Sequence, residues 1–254
     1  MSMRLPVLFA AGLLVAGCKA QEDKPIDYSV DLPVLNKQST PSSKRSLEAI
    51  QRVAPGLIED LKEKKLEFGA PVFIRIFKEE RILELWVKGE ERFQLFRSYK
   101  VAAMSGKLGP KQKEGDRQAP EGFYFVNAGR MNPNSRFHLS FNLGYPNRYD
   151  RAHRRTGSAL MVHGANVSIG CFAMTDPKIE EIYTLCDAAL RNGQPYFRVH
   201  SFPFRMTEAN MQRHKESSWI KFWNNLKTGH DWFEEHGTPP NVTVEDKTYA
   251  FEER

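Results

Sequence analysis

From residue 71 onward the spacing of apolar side chains changes from helical to alternating. The runs PVFIRIFK, ILELWVKG, FQLFRSYKVAAM, GFYFVNA, FHLSFNL and ALMVHG are short, rich in β-branched and aromatic residues, and separated by turn-forming residues. They predict a mostly antiparallel β-domain. Ahead of it, residues 43–65 carry Leu47, Ile50, Leu57, Ile58 and Leu61 at helical intervals, with Pro55-Gly56 dividing the segment into two pieces. This segment is expected to form a helical collar on the domain. Inside the β-domain, DPKIEEIYTLCDAALRNG puts Ile179, Ile182, Tyr183, Cys186, Ala189 and Leu190 on one helical face, with Asp176 able to cap, Pro177 at the first helical position and Gly193 closing the end. After residue 203 helical stretches carry Trp219, Phe222, Trp223, Leu226, Trp232 and Phe233, a stripe whose bulk marks it as packing surface, and NVTVEDKTYAFEER reads as a terminal hairpin. The fold class is therefore α+β, a β-rich, sandwich-like core between an N-terminal helical collar and C-terminal helices. The boundaries drawn are 1–18, 19–68, 69–202 and 203–254.

The first twenty residues change the picture of where the chain works. Arg4 precedes an apolar run from Leu5 to Ala16, roughly 12 residues and too short to span a bilayer as a helix. The run reads as the core of an export signal. Val15-Ala16-Gly17-Cys18 resembles a bacterial lipobox, in which the cysteine thiol carries a diacylglycerol, and Lys19 after it resembles outer-membrane sorting. The expectation is a periplasmic protein anchored to the outer membrane through Cys18, with the polar, proline-bearing residues 19–42 as its tether. With 41% hydrophobic residues there is ample material for a core. The formal net charge of +6 favours a polyanionic surface such as cell-wall polymer, but the basic residues are interspersed with acidic ones, so no nucleic-acid partner is expected.

Three cysteines remain to be apportioned. Cys18 is assigned to the lipid and Cys186 to the buried face of its helix, which leaves Cys171 as the unpaired thiol. It stands in LMVHGANVSIGCFAMTDPKI, where a strand ending in His163-Gly164 is followed by a short loop and Ser168-Ile169-Gly170-Cys171. A thiol is a useful nucleophile as thiolate, so a catalytic cysteine needs a base within hydrogen-bond reach, and His163 can supply it. Gly164 would permit the turn that keeps the imidazole at the strand end, and Gly170 would let a substrate backbone approach. The N–H groups around Gly170 and Cys171 could stabilise an oxyanion. Residue spacing alone leaves both a catalytic and a structural reading of this pair open. No metal site is expected, because no set of His, Cys, Asp and Glu has ligand spacing on one element.

Three blocks, taken together, resemble the YkuD-like L,D-transpeptidase family. The first is LGPKQKEGDRQAPEGFYFV with its Pro120-Glu121-Gly122 turn, the second is FHLSFNLGYPNRYD, and the third is HG followed by S-x-G-C before a helix. The C-terminal block FPFRMTEANM further resembles a periplasmic subgroup that includes amidases acting on murein-bound lipoprotein. The resemblance implies a cofactor-independent enzyme of peptidoglycan stem peptides, acting at meso-diaminopimelate through a thioester on Cys171. His163 would be its base, the Gly164 carbonyl would orient the ring, and Ser168 and Gly170 would shape the oxyanion site. His138, Tyr145 and Arg148 are candidates for substrate contact, and His153, Arg154 and Arg155 form a small basic cluster nearby in sequence. Two departures stand out: Ile169 where most members have a second histidine, and Ala173 where an arginine is common. They weaken cross-linking more than thiol catalysis, so two alternatives stay open: a hydrolytic amidase that releases murein-bound lipoprotein, and a non-catalytic murein-binding protein.

Overall fold

The structure is a computed structural model that describes residue 1, residue 33 and residues 35–252. The export signal, Cys18 with its lipobox and most of the tether lie outside the described residues.

One helix, α1 (Lys44–Glu63), precedes the sheets. It is continuous, where the sequence suggested two pieces. Pro55 deprives it of one N–H, yet Ala49, Ala54, Leu57 and Leu61 lie buried on both sides of the proline, and that burial outweighs one lost hydrogen bond. Ser43 and Ser46 close a reciprocal capping box at its start.

A five-stranded sheet forms the middle layer, in the order β3-β2-β1-β9-β4, from β1 (Val72–Phe77), β2 (Ile82–Lys88), β3 (Phe93–Lys100), β4 (Gly122–Val126) and β9 (Phe197–Phe202). Its pairings are antiparallel except β1 with β9, so the predicted antiparallel order holds with one crossover. Every residue of β1 is buried because both faces of the sheet are covered. Val72, Ile74 and Ile76 join one core with α1 and with α3 (Asp176–Arg191), while Phe73 and Phe77 face the other side. The second sheet, β5-β6-β7-β8, is built from very short strands: β5 (Met131–Asn132), β6 (Ser140–Asn142), β7 (Met161–His163) and β8 (Phe172–Ala173). The chain within these bounds also forms the short helix α2 (Arg148–Ala152).

On the far face of the large sheet lie α4 (Glu208–Arg213), α5 (Ile220–His236) and the hairpin β10 (Asn241–Glu245) and β11 (Thr248–Glu252). Phe222, Trp223, Leu226 and Phe233 of the aromatic stripe are buried there, against Phe77, Phe123, Phe202 and Phe204. The fold is thus α+β in three layers. A buried ion pair ties the far layer to the long loop 101–121. Lys78 Nζ bonds Glu121 at 2.9 Å and the carbonyls of Lys107, Gly109 and Ala119, while Trp223 Nε1 donates to the other Glu121 oxygen at 2.9 Å. Charges this far from water are tolerated only when paired and hydrogen-bonded, and here both ends are.

Candidate active site

The thiol and the imidazole come together through the parallel pairing of β7 with β8, in which Val162 faces Phe172 and His163 faces Ala173. One step earlier Cys171 lies beside Met161, whose N–H reaches the sulfur at 3.4 Å. Because strand side chains alternate, Cys171 and His163 fall on one face of the pair at diagonal positions. The thiol donates to the Ala159 carbonyl at 3.6 Å, and no hydrogen bond joins it to His163 in this state.

His163 is buried, and its Nδ1–H donates to the Gly164 carbonyl at 2.6 Å. A carbonyl can only accept, so the proton sits on Nδ1 and Nε2 keeps its lone pair. Burial holds the ring below the ordinary histidine range, against the opposing pull of that carbonyl, so it is neutral near pH 7. Burial also pushes the Cys171 thiol up, with the Met161 N–H, the Lys111 ammonium and the Ser168 hydroxyl pulling it only partly back. The resting pair is therefore neutral thiol and neutral imidazole, without the direct hydrogen bond that the sequence led one to expect. The thiol stays neutral because burial of the sulfur outweighs the pull of the Lys111 ammonium, itself paired with Asp116 at 2.5 Å.

The loop between the two residues is tightly pinned. Gly164 N–H meets the carbonyls of Phe137 and Leu139, and Asp176 Oδ1 accepts from Ala165 N at 2.7 Å. Asp176 is thereby the first helical residue of α3 and a clamp on the loop instead of the helix cap; Thr175 stands at the cap position. Gly164 needs no left-handed backbone. It is required for space, since a Cβ there would stand 2.6 Å from Asp176 Oδ1 and 2.7 Å from the Phe137 carbonyl. Gly170, by contrast, has φ +85, a conformation side chains resist. Its N–H is committed to Ser105 Oγ at 2.8 Å, which removes one of the two oxyanion donors expected there. Ser168 Oγ is shielded from water and makes no hydrogen bond of ordinary length, which leaves it available to a substrate oxygen; its effect on the sulfur is that of a nearby dipole.

The other sequence candidates are not gathered at the sulfur. His138 sits in a bend at φ 67, outside β6, and its Nε2 bonds Glu180 at 2.7 Å, a carboxylate that Arg52 of α1 also holds through two bonds. The strand expected over FHLSFNL starts only at Ser140, so His138 lies ahead of it. Tyr145 is buried, its phenol donating to the Lys111 carbonyl at 3.2 Å, so it supports the loop and presents nothing to solvent. Arg148 is exposed and lines a cavity of about 490 Å³ with Tyr196 and Thr243, under the C-terminal hairpin. The basic cluster also disperses: Arg155 is buried on Asp150 at 2.8 Å, and His153 reaches the Lys247 carbonyl. Residues that sequence reasoning passed over do reach the site, namely Ser105, Lys111, Arg117 and Ala159. For the first three the signal was the length of the polar, glycine-rich stretch between β3 and β4, too long for a simple turn; Ala159, in the loop ahead of β7, gave none.

Ala173 is buried with backbone bonds to Ala103 in both directions, and Ile169 is 70% exposed at the lip. Fold and motif together define an L,D-transpeptidase catalytic domain. A family model of that domain, YkuD, matches residues 71–201, and the chain belongs to the L,D-transpeptidase family. Over 182 residues it is 52% identical to "Putative L,D-transpeptidase YafK" of Escherichia coli K12, covering 72% of this chain and 74% of that protein. Among solved structures, the K307A mutant of the helical cell shape determining protein Pgp2 from Campylobacter jejuni is similar over 75% of this chain, at 18% identity and a TM-score of 0.44; this chain spans 65% of its length, under two thirds. Bd1075 of Bdellovibrio bacteriovorus is similar over 66% of this chain and 61% of its own, at 21% identity and a TM-score of 0.35.

Proposed function

We infer that the protein is a cysteine acyl-transfer enzyme of peptidoglycan stem peptides, cutting the bond that follows the L-centre of meso-diaminopimelate. The observation that carries this reading is the Nδ1–H bond to Gly164, which leaves His163 Nε2 basic on the same face as the Cys171 sulfur. On substrate binding Nε2 takes the thiol proton, the sulfur attacks the carbonyl carbon, and the oxyanion is met by the Ser168 hydroxyl and the Cys171 N–H. The tetrahedral species collapses to a thioester as the departing amine takes the proton back from the imidazolium. The acceptor, an amine or water, then loses its proton to Nε2, attacks the thioester, and returns the thiol to its starting state.

The acceptor decides whether a cross-link, an anchored lipoprotein or a hydrolysed link results. A second reading, hydrolytic release of murein-bound lipoprotein, is favoured by the buried methyl of Ala173 and the exposed Ile169, which offer no cation or imidazole to hold an acceptor. The export signal and lipobox further support a periplasmic enzyme tethered through Cys18, testable by radiolabelled palmitate incorporation into wild type but not Cys18→Ala.

The decisive experiment incubates the protein, and a Cys171→Ala control, with lipoprotein-bearing sacculi and weighs the products by mass spectrometry. Dimers joined through two diaminopimelates show transfer, and freed lipoprotein or shortened stems show cleavage. The absence of any Cys171-dependent product would end the acyl-enzyme reading and leave a murein-binding protein.

A further inference from the structure

Beside the sulfur lies a cavity of about 150 Å³ whose wall includes Lys111, Glu114, Arg117, Ala159 and Gly170. It adjoins the nucleophile directly, since Ala159 provides the carbonyl that holds the thiol and Gly170 precedes Cys171 in the chain. The Lys111 charge is neutralised by Asp116. Arg117, by contrast, forms no ion pair among the described residues, and neither does Glu114, so this small space is walled by one uncommitted cation and one uncommitted anion. The backbone of Arg117 is also built for the position. It sits at φ 54, and its carbonyl accepts from Ser105 Oγ at 2.6 Å, the same hydroxyl that accepts from Gly170 N–H. A strained, non-glycine residue linked by two hydrogen bonds to the loop of the nucleophile is what a placed substrate contact requires.

We propose that this cavity is a subsite for the zwitterionic head of an amino acid, Arg117 receiving its carboxylate and Glu114 its ammonium. The proposal rests on Cys171 being the reacting thiol. Under that reading the head is the D-centre of the residue that itself carries the scissile carbonyl, so that Arg117 and Glu114 choose stems whose D-centre is free over stems in which it is capped.

The test uses the full chain and three thiol reagents of similar size: methyl, 2-sulfonatoethyl and 2-aminoethyl methanethiosulfonate, neutral, anionic and cationic in turn. Rates at Cys171 are read by mass spectrometry, with Cys171→Ala as the blank. Arg117→Gly removes the guanidinium in a residue suited to φ 54, and it should lower the anionic-to-neutral rate ratio roughly three- to tenfold at low salt, an effect shrinking at 1 M NaCl. Glu114→Gln should lower the cationic-to-neutral ratio by a similar factor. Arg117→Lys should keep the anionic ratio within about twofold, and Lys113→Ala, on the same loop but outside the cavity wall, should leave both alone. A ratio that does not move in either Arg117→Gly or Glu114→Gln overturns the subsite. The absolute rate with the neutral reagent is a separate observable: a thiol inert to it counts against Cys171 as nucleophile.

Discussion

The two faces of the five-stranded sheet are built by opposite rules. On the C-terminal face Phe77, Phe123, Phe202, Phe204 and Trp223 interlock as stacked and edge-on rings, and the buried charges of Lys78 and Glu121 have partners at every polar atom that contacts them. On the catalytic face the small sheet has strands of two or three residues, and the backbone around Cys171 is strained. Arg117, His138, Ala159, Ala165 and Thr175 all adopt positive φ there without being glycine. Each such residue costs on the order of 1–3 kcal/mol. Polar groups are also left unsatisfied at Ser168, and apolar ones stay in solvent at Val167 and Ile169, 59% and 70% exposed. Five of the ten non-glycine residues at positive φ among the described residues lie around the candidate site, whereas unmet hydrogen bonds occur on both faces, His200 on the aromatic one, and the packed rings supply stability that tolerates the local strain.

The two described cysteines separate the exposed rim of the candidate site from the core beneath it, since Cys186 packs in the same apolar cluster as Val162 and Phe172. Cys171→Ala should reduce turnover to background while leaving the melting temperature within a degree or two, because the thiol contributes only weak bonds to Met161 and Ala159. Cys186→Ala should do the reverse, costing about 1 kcal/mol through the small void left in α3 and preserving turnover. Turnover surviving in Cys171→Ala would remove that thiol from the chemistry.

Next in size is the link between the two faces. Lys78→Met strands a buried Glu121 carboxylate and frees the carbonyls of Lys107, Gly109 and Ala119, so unfolding in urea should show a loss of roughly 3–5 kcal/mol. Since those carbonyls belong to the loop that carries Lys111 and Arg117, turnover should fall below what the folded fraction predicts. A double variant that also replaces Glu121 should recover only part of the stability, because Gly109 N–H and Trp223 Nε1 would then lack their acceptor.

What could be read from the sequence divides along the same line. The aromatic stripe, the terminal hairpin and the helix around Cys186 followed from periodicity because packing on the far face and in α3 is driven chiefly by burial of apolar area, which repeats with the period of the element. The family followed from the order of its motif blocks, and the closeness of His163 to Cys171 from the short loop between them. What periodicity could not reveal was set by long-range hydrogen bonds. Ser105 reaches Gly170 across 65 positions, and His138 is claimed by Glu180 across 42, so no local window predicts that one joins the site and the other leaves it. Pro55 misled for a related reason: its local penalty is real, and the core beneath α1 overrides it.

Gly164→Ala probes the tightness of the catalytic face. The new methyl would press on Asp176 Oδ1, the Phe137 carbonyl and His138 Cβ at once, all within 2.9 Å, and overpacking of this kind costs roughly 1–3 kcal/mol. Because the Gly164 carbonyl orients the imidazole, kcat should drop on the order of tenfold or more while KM changes little. A variant with wild-type kcat would mean that the ring is held by something other than that carbonyl.

The smallest effect is a shift in pH dependence, and it separates two kinds of thiol site. In a resting thiolate and imidazolium pair, the histidine is held above its ordinary range and the thiol below. Here burial moves each the other way, lowering His163 and raising Cys171. The base must be neutral to act, so kcat/KM should rise with pH through the His163 transition and reach its plateau already below the ordinary imidazole range. The same sign governs stability. An unfolded chain binds protons at His163 and His200 below about pH 6.5, whereas the folded chain resists them, His200 being wedged between Phe73 and Phe123 with neither ring nitrogen bonded. Stability contributed by these two rings is therefore present above that pH and declines as pH falls below it. An alkaline limb of kcat/KM from loss of an imidazolium proton, above the ordinary histidine range, would assign the resting site to the ion pair, and an acid limb centred above about pH 6.5 would contradict the lowered imidazole; either would end the account of a buried, neutral dyad.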